Sequence, residues 1–420
     1  MSELHRTYGP VFRVQAPGGR HVTGLVGAEA NAYVLVREHQ NFASSGAFDY
    51  LKRLAPTSML ALDGEEHERL RRLLMPAVEK RRVGSYLSDM VRHTARALDR
   101  WPLGVPFDVA EKLRELTFGV VTKALLGLDT SDTRYDEMAK AVWVAAEYIS
   151  PLTQSARNDP ERVARFLRAK AVIDALIDGL IVERTASGED HGDFLSMLLR
   201  MRQGEAGIDD AKVRDQMWTL LFAGHDTTAH AIAWTLYLLA QHPRERDLAV
   251  AELDRELGDR LPTQDDLPRL VYLDRVAQEA QRLYPSAPSI PRVVKERFEF
   301  GGYGIPAGDL VVLYLHLTHR LPEVFRDPDA FVPERWDPAR GEAHPPFSYV
   351  PFGAGPRMCP GGMFALLEIK EVLSVALRRF TFELEPGQRI VAYAAAPAMR
   401  PVPGILMRVR PRRVLLRVDA

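Results

Sequence analysis

Residues 351–362 read PFGAGPRMCPGG, and they hold the only cysteine in a chain of 420 residues. Four glycines and three prolines make this stretch the most turn-prone part of the chain. An apolar-rich segment follows at about 361–379 and is predicted to be a helix. A single cysteine is most often a small buried hydrophobe, but this setting favours a thiolate that binds a metal.

The pattern F-x-x-G-x-x-x-C-x-G gives each residue of the stretch a physical use. The glycines allow positive φ angles and let the backbone pass close to a flat cofactor. The helix that begins near Gly361 directs the positive end of its dipole at the sulfur of Cys359, and Pro360 suits its first turn. Zinc is a poor alternative, because the chain has no second cysteine and no Cys/His cluster nearby. A single thiolate suits a haem iron, whose equatorial ligands come from the porphyrin.

Composition limits the class of protein further. The formal net charge of −1 gives no support for a nucleic-acid partner, because binding to phosphate backbones needs an excess of Lys and Arg. One cysteine excludes an intramolecular disulfide, which suits a reducing compartment. The N-terminus lacks the features of a signal peptide, and no run approaches the ~20 apolar residues that span a bilayer. We therefore expect a cytoplasmic protein without a membrane anchor.

Hydrophobic periodicity predicts a mainly α protein with a smaller β-rich portion. The chain is expected to form one domain over 1–420, with β-rich parts at about 1–60 and 286–420 and a helical part at about 64–285. The longest helix is predicted from about Asp209 to Gln241, and His242-Pro243 ends it. The basic stretch near the C-terminus alternates apolar and polar residues, which predicts a strand pair with arginines facing solvent.

The cysteine stretch resembles the haem-binding signature of the cytochrome P450 family, and the resemblance extends over nearly the whole chain. It implies the fold of that family, with a long central helix over a buried haem b that is bound through Cys359. It also implies that further residues contact the haem: His67, Arg71, Ala223, Arg292, Phe352, Gly353, Arg357 and Gly361. The resemblance implies that the protein is an oxidoreductase of the monooxygenase class.

The sequence AGHDTT, residues 223–228, lies in the middle of the long helix, where glycine and threonine are poor helix formers. One interpretation is that small residues let another element approach. The other is a local opening of the helix, produced by a bond from the Thr227 hydroxyl to the carbonyl of Ala223. The resemblance identifies Asp226 and Thr227 as an acid–alcohol pair that delivers protons to dioxygen.

Two further motifs match the family. In HERLR, His67 and Arg71 lie four apart on one helix face, which is either a solvated basic face or, by resemblance, a pair of contacts to the haem propionates. Arg292 and Arg357 match the other propionate contacts. In EAQR, Glu279 and Arg282 form either a surface pair or, by resemblance, a buried triad with the arginine of PERW (333–336).

The resemblance implies a monooxygenase that hydroxylates or epoxidises a hydrophobic small molecule with O2. We expect no flavin or iron–sulfur domain in this sequence, and the resemblance implies that electrons come from a separate ferredoxin or flavodoxin with an NAD(P)H-dependent reductase. A peroxygenase driven by peroxide would not need the acid–alcohol pair. A non-catalytic haem sensor would have a closed sixth coordination site, whereas AGHDTT indicates an open one.

The substrate class is predicted only from segments expected to line the pocket, and these are mostly apolar. They are residues 47–62, the region near 147–158, Leu221 to Ala223, Ala287 to Ile290, and Pro397 to Met399. Their composition points to a fatty acid, terpenoid or polyketide, and it does not choose among them.

Overall fold

A computed structural model of the chain describes residues 1–15, 21–78, 80–149, 159–204, 208–395 and 398–412. The described residues divide into two compact units. Unit 1 contains Met1–Ala43, Met90–Arg114 and Thr227–Ala420, and unit 2 contains Ser44–Asp89 and Glu115–Asp226. Among the described residues, no helix is both long enough and apolar enough to cross a membrane.

The α-helices are α1 (Ser2–Tyr8), α2 (Ala28–Ala32), α3 (Gly64–Leu74), α4 (Lys80–Ser85), α5 (Leu87–Leu98), α6 (Val109–Leu126), α7 (Thr133–Ile149), α8 (Pro160–Ser187), α9 (Phe194–Gly204), α10 (Asp210–Gln241), α11 (Pro243–Leu257), α12 (Val271–Leu283), α13 (Leu315–Thr318) and α14 (Gly362–Arg379). The strands are β1 (Val11–Gln15), β2 (His21–Leu25), β3 (Phe42–Ala43), β4 (Pro106–Asp108), β5 (Ile290–Val294), β6 (Phe298–Phe300), β7 (Tyr303–Ile305), β8 (Leu310–Leu313), β9 (Phe380–Leu384), β10 (Val391–Ala395), β11 (Ala398–Val402) and β12 (Leu406–Pro411).

The long helix α10 forms as predicted. Its N-cap is Asp209, whose carboxylate accepts a hydrogen bond from the backbone N–H of Lys212 at 2.8 Å. The helix ends at Gln241, and Pro243 opens α11, since proline is tolerated in a first helical turn. The fold class predicted from periodicity, mainly α with a smaller β portion, is confirmed.

Unit 1 contains a five-stranded sheet in the order β1-β2-β8-β5-β3. Strands β2 and β8 are parallel, and the other neighbouring pairs are antiparallel. The buried faces of Leu25, Val311 and Leu313 contribute to one apolar core with Leu35 and Val350, so this core lies directly beneath the start of the cysteine stretch. The sheet therefore anchors the segment that leads into Cys359.

The strands predicted near the N-terminus form as β1, β2 and the two-residue β3 (Phe42–Ala43), but most of the rest of that region is not strand. Residues 28–32 form α2, residues 33–37 form a π-helical turn, and short 3-10 turns follow up to Arg53. The alanine-rich sequence AEANA favours helix over strand. In addition, β2 already has its two sheet neighbours, β1 and the distant β8.

The basic stretch forms strands up to Pro411, but the predicted pair does not form within it, because β11 pairs with β10 and β12 pairs with β9 and β4. In β12, Met407 and Val409 are fully buried, whereas Arg410, between Val409 and Pro411, is exposed. Residues 413–420 of the predicted stretch lie outside the described residues.

Unit 2 is helical and has a core of its own. Helices α7 and α8 supply Met138, Ala145, Ile173 and Ile177, all of which are completely or almost completely buried. The part of α10 that belongs to this unit contributes Met217 to the same core. This core supports the residues of α10 that precede Thr227.

Candidate active site

Backbone hydrogen bonds close the cysteine stretch onto itself in unit 1. The N–H of Gly353 donates to the carbonyl of Val350 at 2.9 Å, and the N–H of Met358 donates to the carbonyl of Gly355 at 3.0 Å. The N–H of Cys359 donates to the carbonyl of Phe352 at 2.9 Å. These bonds hold the stretch in one compact loop, and the side chain of Cys359 is exposed on it.

Two glycines of this loop adopt the left-handed conformation that was predicted for them. Gly353 has φ 71° and Gly355 has φ 68°, values that side-chain-bearing residues rarely adopt. The backbone carbonyl of Leu35 fills the space where a Cβ on Gly355 would lie. Gly361 differs, since its φ of −82° is open to any residue and nothing lies within 4 Å of a Cβ placed there.

Helix α14 starts at Gly362, three residues after the thiol, with Gly361 as its N-cap. Pro360 lies in the preceding turn and not in the first turn of the helix, so its predicted position was wrong by two residues. The reason is the bond from the N–H of Gly362 to the carbonyl of Cys359 at 3.4 Å, which makes residues 359–362 a tight turn before the helix. The helix dipole still has its positive end beside Cys359.

A buried charge cluster stabilises the chain that leads to the loop. Glu279 accepts two bonds from Arg282, at 2.9 and 2.8 Å, and one from Arg335 at 3.3 Å. The predicted triad is therefore confirmed, and its three members are almost completely buried. Trp336 also belongs to it, because its indole N–H donates to Glu279 at 2.9 Å. Sequence reasoning missed that bond, although Trp336 directly follows the arginine of PERW.

The two arginines of unit 1 predicted to contact propionates lie on elements that touch the cysteine loop or belong to it. Arg292 is buried on β5, and its guanidinium donates to the carbonyl of Pro291 at 2.8 Å. Ile290, the first residue of β5, lies close to the cysteine loop, because a Cβ atom placed on Gly353 would be 3.6 Å from its side chain. Arg357 lies in the 3-10 turn two residues before the thiol. Unit 1 thus places β5, the strand of Arg292, against the loop that carries Arg357 and Cys359.

In unit 2, His67 and Arg71 lie on α3 with the predicted spacing. Asp63 precedes this helix, and its carboxylate accepts the backbone N–H groups of Ser44 and Ser45, each at 2.9 Å. His67 is buried, with 4% of its surface exposed. That burial contradicts the interpretation of this residue as part of a solvated basic face.

Helix α10 carries Ala223, Asp226 and Thr227. Ala223 is exposed, although Leu221 and Asp226 beside it are buried. An exposed alanine in the middle of a buried helix is what a ligand-facing surface requires. The carbonyl of Thr227 accepts the hydroxyl of Ser286 at 2.9 Å, a contact that sequence reasoning also missed.

The structure supports close approach of another helix at AGHDTT. A Cβ on Gly224 would meet Val121 of α6 at 2.8 Å, and the hydroxyl of Thr117 donates to the carbonyl of His225 at 2.9 Å. Helix α10 continues without interruption through residues 223–228, so the expected local opening does not break it. Gly224 is required because α6 packs against it.

Part of the predicted pocket segment 47–62 is tied to α10 within unit 2. Asp215 accepts both the backbone N–H and the hydroxyl of Thr57 at 2.7 Å. Gln216 bonds the backbone on both sides, accepting from Met59 at 3.1 Å and donating to Thr57 at 2.7 Å. The segment 47–62 is therefore bound to α10, the helix that also carries the predicted pocket residues 221–223. Of the others, residues 150–158 and 396–397 lie outside the described residues.

Two acids on α14 stand out electrostatically. Glu368 and Glu371 are completely buried one turn apart. Burial raises the pKa of Glu371 to about 8, and a hydrogen bond from Thr94 at 3.0 Å works in the opposite direction. Burial also raises the pKa of Glu368 well above its ordinary value, and the charge of Glu371 adds to this effect. Both carboxyls are thus held toward their neutral forms.

The donor set fits a haem. Among the described residues, no group of three or more His, Cys, Asp and Glu side chains is arranged to hold a metal ion. A porphyrin supplies the equatorial ligands of its iron, so one thiolate such as that of Cys359 is a suitable protein ligand. The loop backbone has no Cβ at Gly353 and Gly355, and cationic side chains that suit propionates lie in the same unit.

Comparison with known proteins decides the family. The family model described as Cytochrome P450 matches residues 1–408. The chain belongs to the cytochrome P450 family. It is a haem-thiolate monooxygenase, and members of this family bind haem b.

Relatives of this P450 cover most of its length. Cyclooctat-9-en-7-ol 5-monooxygenase from Streptomyces melanosporofaciens is 33% identical over 353 residues, which are 82% of this chain and 77% of that protein. Putative cytochrome P450 139 from Mycobacterium tuberculosis is 31% identical over 425 residues, covering 97% of this chain and 96% of the relative. The solved structure of retinoic acid bound cyanobacterial CYP120A1 is 28% identical and superimposes with a TM-score of 0.86, covering 98% of this chain and 94% of the other.

Proposed function

We propose that this P450 binds its haem iron through Cys359 and oxidises a hydrophobic small molecule with O2 and electrons from a separate redox protein. The observation that carries the proposal is the closed loop around the exposed thiol of Cys359, followed at once by the N-terminus of α14. A helix N-terminus stabilises a thiolate, and thiolate is the form that binds iron.

When bound, haem b supplies the iron that activates O2 for insertion of one oxygen atom into the substrate. The contributions of the chain are to bind and orient the cofactor. Arg292 and Arg357 of unit 1, and His67 and Arg71 of unit 2, are the residues proposed for the two propionates. Guanidinium groups are suited to this because they form charge-assisted bonds with carboxylates. Phe352, Gly353, Ala223 and Gly361 are proposed as neutral contacts to the macrocycle.

Asp226 and Thr227 are proposed to hold and pass the protons that O–O cleavage consumes. The burial of Asp226 supports this, because a carboxyl shielded from bulk water delivers protons only along defined groups. Thr227→Ala is expected to raise the peroxide released per NAD(P)H consumed, whereas Thr227→Ser, which keeps a hydroxyl, is expected to stay near the wild type. Unchanged coupling in Thr227→Ala would count against the relay.

The substrate is proposed to be a hydrophobic molecule of the terpenoid, fatty acid or polyketide classes. Apolar residues of α10 next to the exposed Ala223, namely Leu220 and Phe222, are partly buried and contribute to the unit 2 core. The names of related proteins point the same way, since one acts on cyclooctat-9-en-7-ol and another was solved with retinoic acid bound. A ligand screen that reads the low-spin to high-spin shift of the haem identifies which class binds.

A turnover experiment tests the function as a whole. The purified haem protein is supplied with a ferredoxin or flavodoxin, an NAD(P)H-dependent reductase and a ligand found by the screen. A monooxygenase forms product that carries one atom of isotopically labelled O2, and only when the electron donors are present. Product formed from hydrogen peroxide alone would favour the peroxygenase. A ligand that shifts the spin state but is never converted would favour a sensor. A cytoplasmic location remains a prediction.

A further inference from the structure

His319 links the buried charge cluster to the cysteine loop. Its imidazole Nε2 accepts the backbone N–H of Val350 at 3.1 Å, inside the protein. His319 is completely buried, and its ring contacts that of Tyr349, with 5.2 Å between ring centroids. Val350 is the residue whose carbonyl accepts from Gly353 and so opens the loop around Cys359.

The backbone of His319 is itself held at both of its polar groups. Its N–H donates to the carbonyl of Leu315 at 2.8 Å, and its carbonyl accepts the guanidinium of Arg282 at 2.9 Å. Arg282 is bound in turn by Glu279. Hydrogen bonds therefore link Glu279, through Arg282 and His319, to Val350, the residue directly before the cysteine stretch.

The direction of the bond to Val350 requires one form of the ring. Because the amide N–H donates, Nε2 must carry a lone pair, so the imidazole is neutral and its proton lies on Nδ1. The surroundings enforce this form, since burial and the nearby cations Arg282 and Arg320, together with His316, lower the pKa of His319 to about 3.

Other groups also hold this part of the chain: the hydroxyl of Tyr349 donates to the carbonyl of Gln278 at 3.1 Å, and the side chain of Val350 packs in the core with Leu25 and Val311. Pro351 follows Val350 and has no N–H to offer, and Pro351 and Phe352 form a turn that is outside any helix or strand. The amide of Val350 is therefore the last backbone donor before Pro351, and it is attached to the rest of unit 1 through His319. A buried amide N–H has given up its hydrogen bonds with water. Without a protein acceptor, it costs the full free energy of desolvating that group.

We propose that His319 is a positioning residue for the thiolate, acting as the permanent acceptor that fixes Val350 and through it the start of the loop that carries Cys359. The inference rests on the proposed role of Cys359 as iron ligand. It assigns His319 no contact with haem, substrate or protons in transfer.

The test compares His319→Phe with His319→Gln in the full-length haem protein. Phenylalanine keeps an aromatic ring beside Tyr349 but has no acceptor, whereas glutamine restores one. His316→Phe is the matched control, because the imidazole of His316 bonds the carbonyl of Pro288 at 3.2 Å and does not reach the loop. The readouts are the ratio of the thiolate-ligated CO band near ~450 nm to the band at shorter wavelength, hydrogen exchange at the Val350 amide, and the far-UV melting temperature.

His319→Phe is expected to lower that band ratio in mild denaturant by roughly five- to a hundredfold, the range for a buried N–H left without its acceptor. Exchange at Val350 is expected to speed up by a similar factor. His319→Gln is expected to recover most of both losses, and His316→Phe to retain the wild-type ratio. A wild-type ratio in His319→Phe, or no recovery in His319→Gln, would overturn the proposal.

Two outcomes separate this inference from the proposed function. If His319→Phe does not fold, hydrogen exchange at the Val350 amide of the wild-type protein tests the role of His319. The proposal requires this amide to exchange far more slowly than an exposed amide. Exchange at the exposed rate overturns the role of His319. If the wild-type protein lacks the ~450 nm band while Val350 is protected, the iron ligand has been misassigned, and with it the positioning role of His319 toward a thiolate.

Discussion

The backbone carbonyl of Leu35 occupies the space that a Cβ atom on Gly355 would need. Leu35 lies in the π-helical turn of residues 33–37, and Gly355 begins the 3-10 turn before Cys359. Two segments more than 300 residues apart in the chain therefore meet with no room for a side chain. The contact explains why one glycine of the cysteine loop has no substitute.

Gly355→Ala is the prediction that follows directly. The positive φ and the clash with a backbone atom together are expected to lower the free energy of unfolding by about 3–5 kcal/mol and to reduce thiolate ligation. Gly341→Ala is the matched control, because Gly341 has φ 64° but open space around it, and we expect about 1–2 kcal/mol. Urea unfolding of both variants checks this, and equal losses would contradict the role of Leu35.

The cluster around Glu279 is expected to be structural. Arg335→Met removes one partner of a buried carboxylate and is expected to cost about 3–5 kcal/mol, whereas Trp336→Phe removes one hydrogen bond to a charged group and is expected to cost about 1.5–3 kcal/mol. Arg244→Ala serves as the control, because Arg244 pairs with Glu334 at 3.3 Å and is largely exposed. Denaturant unfolding monitored by circular dichroism gives the three values. A loss for Trp336→Phe no larger than that of the control would remove it from the cluster.

Glu371 predicts a dependence of stability on pH. Its pKa in the folded protein is about 8 against 4.5 for the ordinary carboxyl, so the folded state holds a proton that the unfolded chain releases. Stability from this group is complete below about pH 4.5 and declines as pH rises toward 8. The buried Glu368 acts in the same direction.

Glu371→Gln is therefore expected to flatten the decline in melting temperature between pH 5 and 8, because glutamine carries no proton to lose. Thr94 keeps an acceptor in the amide oxygen. Glu323→Gln, at an exposed position, is the control. A profile for Glu371→Gln as steep as that of the wild type would show that this carboxyl is ionised in the folded protein.

The bond between Thr57 and Asp215 predicts how a pocket segment is held. Asp215→Ala removes the acceptor of two hydrogen bonds at 2.7 Å, so residues 57–59 are expected to loosen from α10. Substrate-induced spin shifts should then need about tenfold more ligand, while the CO band stays unchanged. Asp178→Ala, which breaks a partly exposed pair with Arg214, is the control. Unaltered ligand affinity in Asp215→Ala would exclude this segment from substrate binding.

Local sequence patterns were sufficient to predict features whose structure depends only on residues close by in the chain. The N-cap at Asp209 and the proline at 243 bound α10 within one residue of the prediction, because capping depends on neighbours in the chain. The glycines of the cysteine loop were likewise assigned positive φ correctly at two positions, Gly353 and Gly355. Each of these features follows from chemistry within a few residues.

Contacts between distant segments escaped sequence analysis. The bond from Val350 to His319 and that from Trp336 to Glu279 join residues 31 and 57 apart, and nothing local marks either pair. The region from Ala28 to Arg53 was expected to form strands, yet only the two-residue β3 does so, and the place beside β2 is taken by β8, which arrives from residue 310. Strand pairing is decided by such tertiary partners and not by the alternation of a short run.

The central claim is that Cys359 is the thiolate ligand of the haem iron, and the reduced CO-difference spectrum tests it most directly. We expect the wild-type protein to give a Soret band near ~450 nm and Cys359→Ser to lose that band while its far-UV spectrum is retained. A wild-type spectrum typical of histidine ligation, or a Cys359→Ser variant that keeps the ~450 nm band, would contradict the account.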